Sequence, residues 1–194
     1  MNTARTVGAS PGAPPPGGES APDPATMIRE RSMALFRSRR YMCAEAILIA
    51  VNEVFDAGLS KRAAGGLAAA LPEGLGGSGC LCGAVSGAAL SLGLVLSGKL
   101  RRREIRQLSR RLHQAFIARH GSACCRVLTR PVLAVPESHF DQCALLTGFA
   151  AETAARLILE KLPGLRQARG HSGAWAGAPG WRALLSRLLG QPKR

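Results

Sequence analysis

Between residues 29 and 56 apolar positions recur at helical spacing. Cys43, Ile47, Ala50, Val51 and Val54 fall on one face, with Arg39, Arg40, Glu45, Asn52 and Glu53 on the other. Steps of three and four residues are the signature of an amphipathic helix, so Cys43 is expected to point inward. Gly58 breaks the pattern. Ser60, a good N-cap residue, then opens a short helix that reaches Leu71 and stops at Pro72. A glycine-rich turn over 74–79 leads into a stretch without a charged residue, whose continuous apolar part runs from Ala84 to Leu96. These 13 residues fall short of the roughly 20 that a bilayer crossing needs, so they predict a buried central helix and not an integral membrane segment. Residues 101–119 set Ile105, Leu108, Leu112 and Phe116 against Arg102, Arg103, Arg106, Arg110 and Arg111, and Gly121 ends them. After a connector flanked by Pro131 and Pro136, residues 138–162 place Cys143, Ala150, Ala154 and Leu157 on one face, and Pro163 stops them. The whole predicts an all-α fold, a compact bundle of about five helices around a Gly-rich central helix over 83–96.

The ends of the chain differ from this middle. Residues 1–26 are Pro, Gly, Ala and Ser without apolar periodicity, and such a segment buries too little surface to offset the entropy of ordering, so a disordered leader is expected. It has neither the basic nor the apolar region of a secretory signal. Ser38-Arg39-Arg40 before Tyr41 has some features of a twin-arginine export signal, but Glu45 and Glu53 interrupt the apolar run and no small-residue cleavage site follows. The expected organisation is a leader (1–26), a cysteine-containing helical domain (27–162) and a basic tail (163–194), in which Trp181 to Leu189 reads as a short amphipathic helix. The expected location is cytoplasmic.

Charge changes this picture little. The net charge is +14, yet +7 of it lies in 99–121 and +6 in 163–194. Among the cations only Lys61, Lys99, Lys161 and Lys193 are lysine. An arginine skew with abundant Ala, Gly and Pro is also what a GC-rich bacterial genome produces, and no aromatic residues interleave the arginines. Nucleic acid is therefore not the expected partner. The segments that hold the cysteines are close to neutral, so thiols and charge are separate features.

Six cysteines, at 43, 80, 82, 124, 125 and 143, fall at helix ends or on inward faces. Cys82 stands at the start of the 83–96 helix, where free backbone N–H groups and the positive dipole end favour a thiolate. Its pKa is expected to be lowered, which makes it the first choice for a reactive or ligating sulfur. Gly79, Gly83 and Gly87 repeat every four residues and leave one face without side chains, open to another helix, a cluster or a cofactor. His113, His120, His139 and His171 are scattered. In His139-x-Asp141-x-Cys143 the simplest reading is that Ser138 and Asp141 cap a helix. No phosphate loop, dinucleotide fingerprint, nucleophile elbow or zinc-protease motif is present, which excludes nucleotide-binding and hydrolase readings.

Cys43-Ala44-Glu45-Ala46, Cys82-Gly83-Ala84-x-x-Gly87, Gly121-Ser122-x-x-Cys125-Arg126 and Cys143 together resemble the C-GCAxxG-C-C family of redox-active proteins, over roughly residues 36–162. The resemblance implies that Cys43, Cys82, Cys125 and Cys143 are the four family cysteines and that Gly83, Ala84 and Gly87 are its small-residue motif. It implies redox activity with an iron–sulfur cluster or another thiolate-bound metal, and no defined reaction. Cys80 and Cys124 are additional, giving a Cys-x-Cys and a vicinal Cys-Cys pair.

Three uses of these thiols stay open on chemical grounds. Cys43, Cys82, Cys125 and Cys143 could ligate a metal, with Gly79, Gly83, Ala84 and Gly87 making room for a cofactor, although ligands on four separate segments are unlike a zinc ribbon. Alternatively, Cys82 attacks and Cys80, Cys125 or Cys43 resolves, by reversible disulfide exchange with a redox partner protein. In the third use the thiols are packing only, because a reducing cytosol disfavours permanent disulfides. A different class of function, a basic helical module for an acidic protein, a nucleic acid or a membrane surface, would use the arginine helix instead. Convergence of the four family sulfurs near the start of the central helix, with Cys80 and Cys124 close by, is the geometry to look for.

Overall fold

The computed structural model describes residues 22–130 and 136–166. Among the described residues there are six helices of eight residues or more and no strand: α1 (Pro24–Arg37), α2 (Cys43–Phe55), α3 (Lys61–Ala68), α5 (Gly83–Leu96), α6 (Arg102–His120) and α8 (Pro136–Lys161). Two short pieces, α4 (Pro72–Leu75) and α7 (Cys125–Thr129), and a 3₁₀ turn at Pro163–Arg166 complete them. The fold is all-α, as the periodicity predicts. The tail helix expected over Trp181 to Leu189 lies outside the described residues, as does most of the expected leader. Helix α1 begins at Pro24, inside the segment expected to lack order.

The amphipathic segment expected over 29–56 is two helices. Ser38 to Met42 turn the chain between α1 and α2, with Arg39 in the left-handed region at φ 58°. Helix α2 starts where the Met42 N–H donates to Glu45 Oε2 (2.7 Å). It is the most enclosed helix, because α1, α3, α5 and α8 pack around it. Every residue from Ala46 to Asn52 is buried, so Asn52 does not lie on the polar face assigned to it, although Glu53, Arg39 and Arg40 do stay exposed. Burial of Asn52 is made tolerable by a two-point bond to one backbone unit: its Nδ2 donates to Leu59 O (2.8 Å), and its Oδ1 accepts from the Leu59 N–H (2.9 Å). Ser60 caps α3 as expected, accepting from the Ala63 N–H at 3.1 Å, but α3 ends at Ala68, before Leu71.

Helix α5 occupies the predicted 83–96 and packs against α2, α6 and α8. Among the described residues no helix is long and apolar enough to cross a membrane. Helix α6 buries Leu108, Leu112 and Phe116, and full burial of each contributes about 1.5–3 kcal/mol. It leaves Arg102, Arg103, Arg106 and Arg110 exposed. Arg111, also exposed, forms a fork-to-fork pair with Glu160 (2.9 and 2.8 Å). Helix α8 lies along α1 and buries Ala150, Ala154 and Leu157, three of the four residues expected on its inner face. The fourth, Cys143, is half-buried and lines the site described next.

Candidate thiol site

The site is built where two connections meet. The chain from Pro72 to Cys82 turns tightly, with Gly74, Gly76, Gly77 and Gly79 all at positive φ, which glycine alone adopts without cost. It runs against residues 122–126 with two backbone bonds: the Cys82 N–H donates to Ala123 O (2.7 Å) and the Arg126 N–H donates to Gly79 O (2.9 Å). Between these bonds Cys80 and Cys124 are joined by a disulfide, with an S–S distance of 2.09 Å and a Cα–Cα distance of 4.4 Å. Arg126 lies across Gly79, its Nη2 donating to Ser78 O at 2.7 Å. A Cβ on Gly79 would stand 2.9 Å from the Arg126 Nε, so this crossing needs glycine.

The other four cysteines are free thiols. Cys43 is the first residue of α2, Cys82 is the N-cap of α5, Cys125 is the first residue of α7 and Cys143 lies early in α8. Cys82, Cys125 and Cys143 lie close enough to Cys43 to raise its pKa, and Cys125 does the same to Cys82 and Cys143, so the four thiols are neighbours. Cys43, Cys125 and Cys143 line one cleft of about 540 Å³. Phe36, Met42 and Phe140 form its apolar wall, Glu73, Gly77 and Gly79 face them, and Arg126 and His139 complete it.

The small residues have defined tasks. A Cβ on Gly83 would stand 2.5 Å from Cys43 Sγ, and one on Gly87 would stand 2.6 Å from Ala44 Cα and 2.8 Å from Ala44 O. The space left by Gly83 and Gly87 is thus filled by the first turn of α2, which brings Cys43 beside Cys82. Ala84 is buried in the same seam. The close approach expected of these residues occurs, and its occupant is a helix.

The electrostatics correct the expectation for Cys82. Its thiol is pushed up, not down: burial dominates, the Ala84 and Val85 backbone N–H groups favour the thiolate without overcoming it, and the Cys125 sulfur raises it further. Cys43 is pushed up to about 12 by burial and then by its sulfur neighbours, although the Ala44 N–H opposes this. Cys143 is pushed up to about 12 for the same two reasons. Cys125 is raised by burial and by the Glu73 carboxylate. At neutral pH all four are thiols.

As a donor set, four sulfurs suit zinc or an iron–sulfur cluster. Among the described residues, however, no three His, Cys, Asp or Glu side chains are grouped to hold a single metal ion. Cys43, Cys125 and Cys143 line the cleft, and Cys82 is buried beside it.

The disulfide joins Cys80 to Cys124, the two cysteines expected close by the family's four; the exchange of Cys82 with Cys80, Cys125 or Cys43 is one of the three uses that the sequence leaves open. Nothing in the spacing marks two residues 44 apart as neighbours, because their meeting depends on the glycine turns before Cys80. The capping reading of Ser138 fails as well, since α8 begins at Pro136 and Ser138 lies within it. His139 faces the thiol cleft while Asp141 faces Arg37 and Arg39, the divergence that a two-residue step on a helix produces. Glu73, Phe36 and Phe140 were not foreseen, because they reach the cleft from elements without a cysteine signal.

A family model described as "Putative redox-active protein (C_GCAxxG_C_C)" matches residues 41–157, a span that contains all four free thiols and the disulfide. No curated protein and no solved structure matches the chain. With more than half of its length matched by this model, the chain belongs to the C-GCAxxG-C-C family of redox-active proteins.

Proposed function

We propose that the chain is a two-electron thiol–disulfide redox protein whose working pair is Cys80 and Cys124. The observation that carries this reading is the position of the disulfide. It joins the two cysteines that are additional to the family's four, on an exposed turn at Cys80, and each partner adjoins a family cysteine, Cys82 or Cys125.

The exchange follows from exposure. A thiolate of a dithiol partner protein attacks the exposed Cys80 sulfur, the S–S bond breaks, and the electron pair leaves on Cys124. The partner's second thiol attacks the mixed disulfide and releases Cys80. The partner is oxidised to a disulfide, and Cys80 and Cys124 each end with one proton. The four remaining thiols, held protonated by burial, do not compete with the partner for the disulfide at neutral pH. A reversible disulfide is also compatible with a reducing cytoplasm, which a permanent one is not.

Equilibration of the protein with reduced and oxidised glutathione, followed by alkylation and mass measurement, tests the reading. One two-thiol transition at Cys80 and Cys124, with helical circular dichroism retained, is expected. A disulfide that opens only as the protein unfolds would be structural, and the proposal would fall.

A further inference from the structure

The segment Pro72–Leu81 forms a flap at the side of the thiol cleft. Glu73, Gly77 and Gly79 form one wall of the cleft, and at the flap's root Pro72 and the Leu71 carbonyl crowd the same point beside Gly83 as Cys43 Sγ does. The flap is bonded within itself: the Gly76 N–H donates to Pro72 O (3.0 Å), the Ser78 N–H to Leu75 O (3.3 Å) and the Gly79 N–H to Glu73 O (3.2 Å). It is therefore built to move as a unit.

Its root is buried at Pro72 and Gly74, and its tip is held by the disulfide and a few hydrogen bonds. From Leu75 to Ser78 every residue is exposed, and Leu75 is 57% exposed. Glu73 and Leu75 sit at φ 56° and 60°, a left-handed conformation that costs an L residue backbone energy and persists only where the surroundings impose it. The far end of the flap is tied to residues 122–126 by the Cys80–Cys124 bond and by two hydrogen bonds that Arg126 donates, to Gly79 O and Ser78 O, and just beyond it the Cys82 N–H donates to Ala123 O.

From this arrangement we infer that the Cys80–Cys124 disulfide is the latch of a redox-controlled lid. While it is formed, the flap Pro72–Leu81 screens Cys43 and Cys82; when it is reduced, the flap lifts and both thiols become accessible. This rests on the reading of Cys80 and Cys124 as the working pair. A dithiol supplies the two electrons and two protons and becomes a disulfide, and no other covalent bond changes. The electron state of the exposed pair thereby decides whether the family's own thiols can meet a reagent.

Residue-resolved alkylation by N-ethylmaleimide, read by peptide mass spectrometry, tests the lid on the full chain. The comparison is between oxidised protein, dithiol-reduced protein and a Cys80→Ser, Cys124→Ser double variant. With the covalent tie gone only hydrogen bonds oppose local opening of the flap, and alkylation of Cys82 and Cys43 is expected to speed by about tenfold or more. Hydrogen exchange at the Arg126 amide, which bonds across the latch, should quicken, while amides in the middle of α2 and α8 keep their protection. Equal rates at Cys82 and Cys43 in oxidised and reduced protein overturn the lid, yet leave the redox pair standing if Cys80 and Cys124 were themselves alkylated. Loss of protection in α2 and α8 alongside faster alkylation also overturns it, because the protein has then unfolded. If the double variant does not fold, the reduced natural chain carries the comparison.

Discussion

Gly87→Ala and Gly93→Ala make the same chemical change twice on α5, and the packing gives them opposite signs. A methyl group in a helix interior in place of hydrogen is worth about 1 kcal/mol of stabilisation, because it removes backbone freedom from the unfolded chain. At Gly93 nothing lies within 4 Å of the added carbon, so most of that gain should be realised, about 0.5–1 kcal/mol. At Gly87 the carbon would stand 2.6 Å from the Cα of Ala44 and 2.8 Å from its carbonyl oxygen. Both are backbone atoms of a helix buried on all sides, which cannot turn aside as a flexible side chain would. Helices α2 and α5 must separate, and overpacking of this kind costs about 1–3 kcal/mol. The separation also opens gaps along Ile47, Val51, Ala88 and Leu92, so the net loss is expected near 2 kcal/mol. For a domain of this size 1 kcal/mol shifts Tm by roughly 2–4 °C. Gly87→Ala should therefore lower Tm by roughly 4–8 °C while Gly93→Ala raises it by a few degrees. Unfolding followed by far-ultraviolet circular dichroism, with the disulfide intact, measures both. Two shifts of the same sign would refute the claim that Gly87 is glycine because the backbone of α2 occupies its side-chain space.

Other expectations follow from single contacts. Asn52→Leu removes both bonds to Leu59 and leaves a half-buried N–H and carbonyl without their partner, which should cost about 1 kcal/mol in a urea titration; a neutral result would mean that water replaces both bonds. Glu73→Gln removes the carboxylate that raises Cys125, so alkylation of Cys125 at neutral pH should quicken by about twofold to fivefold in this partly solvated setting. An unchanged rate would place Glu73 too far away to matter. Cys43 links stability to pH: its folded pKa is raised from 9.0 to about 12, so its contribution is complete below pH 9. It is lost as pH rises toward 12, because only the unfolded chain ionises there. The full loss is about 4 kcal/mol. In urea titrations at pH 8 and pH 10 the fall in stability should be smaller for Cys43→Ala than for the natural chain by about 1 kcal/mol; equal falls would show that Cys43 is not desolvated.

How far these features could be read beforehand depended on whether their causes were local. Helix α5 is set by its uncharged apolar run and the inner face of α6 by periodicity, and Leu108, Leu112 and Phe116 lie where the spacing puts them. Ser60 caps α3 through a bond only three residues long. The split between α1 and α2 escaped notice because Ser38 to Met42 contain neither glycine nor proline, while apolar spacing continues on both sides. Asn52 looked like a surface residue because its partner, Leu59, arrives from the next loop. For the thiols, motif spacing marked Cys43, Cys82, Cys125 and Cys143 as one group. The helix start at Cys82 was visible too, but the burial that outweighs it was not. The Cys80–Cys124 bond was the least legible feature, since it depends on left-handed turns at Gly74, Gly76, Gly77 and Gly79 that carry a distant segment to Cys124.

The most direct test of the account is disulfide mapping of the natively folded, mildly oxidised protein, alkylated at low pH and digested. The account predicts one cross-linked peptide pair joining Cys80 to Cys124, with Cys43, Cys82, Cys125 and Cys143 all recovered as alkylated thiols. Linkage of Cys82 to Cys125 or to Cys43, with Cys80 and Cys124 left free, would contradict it.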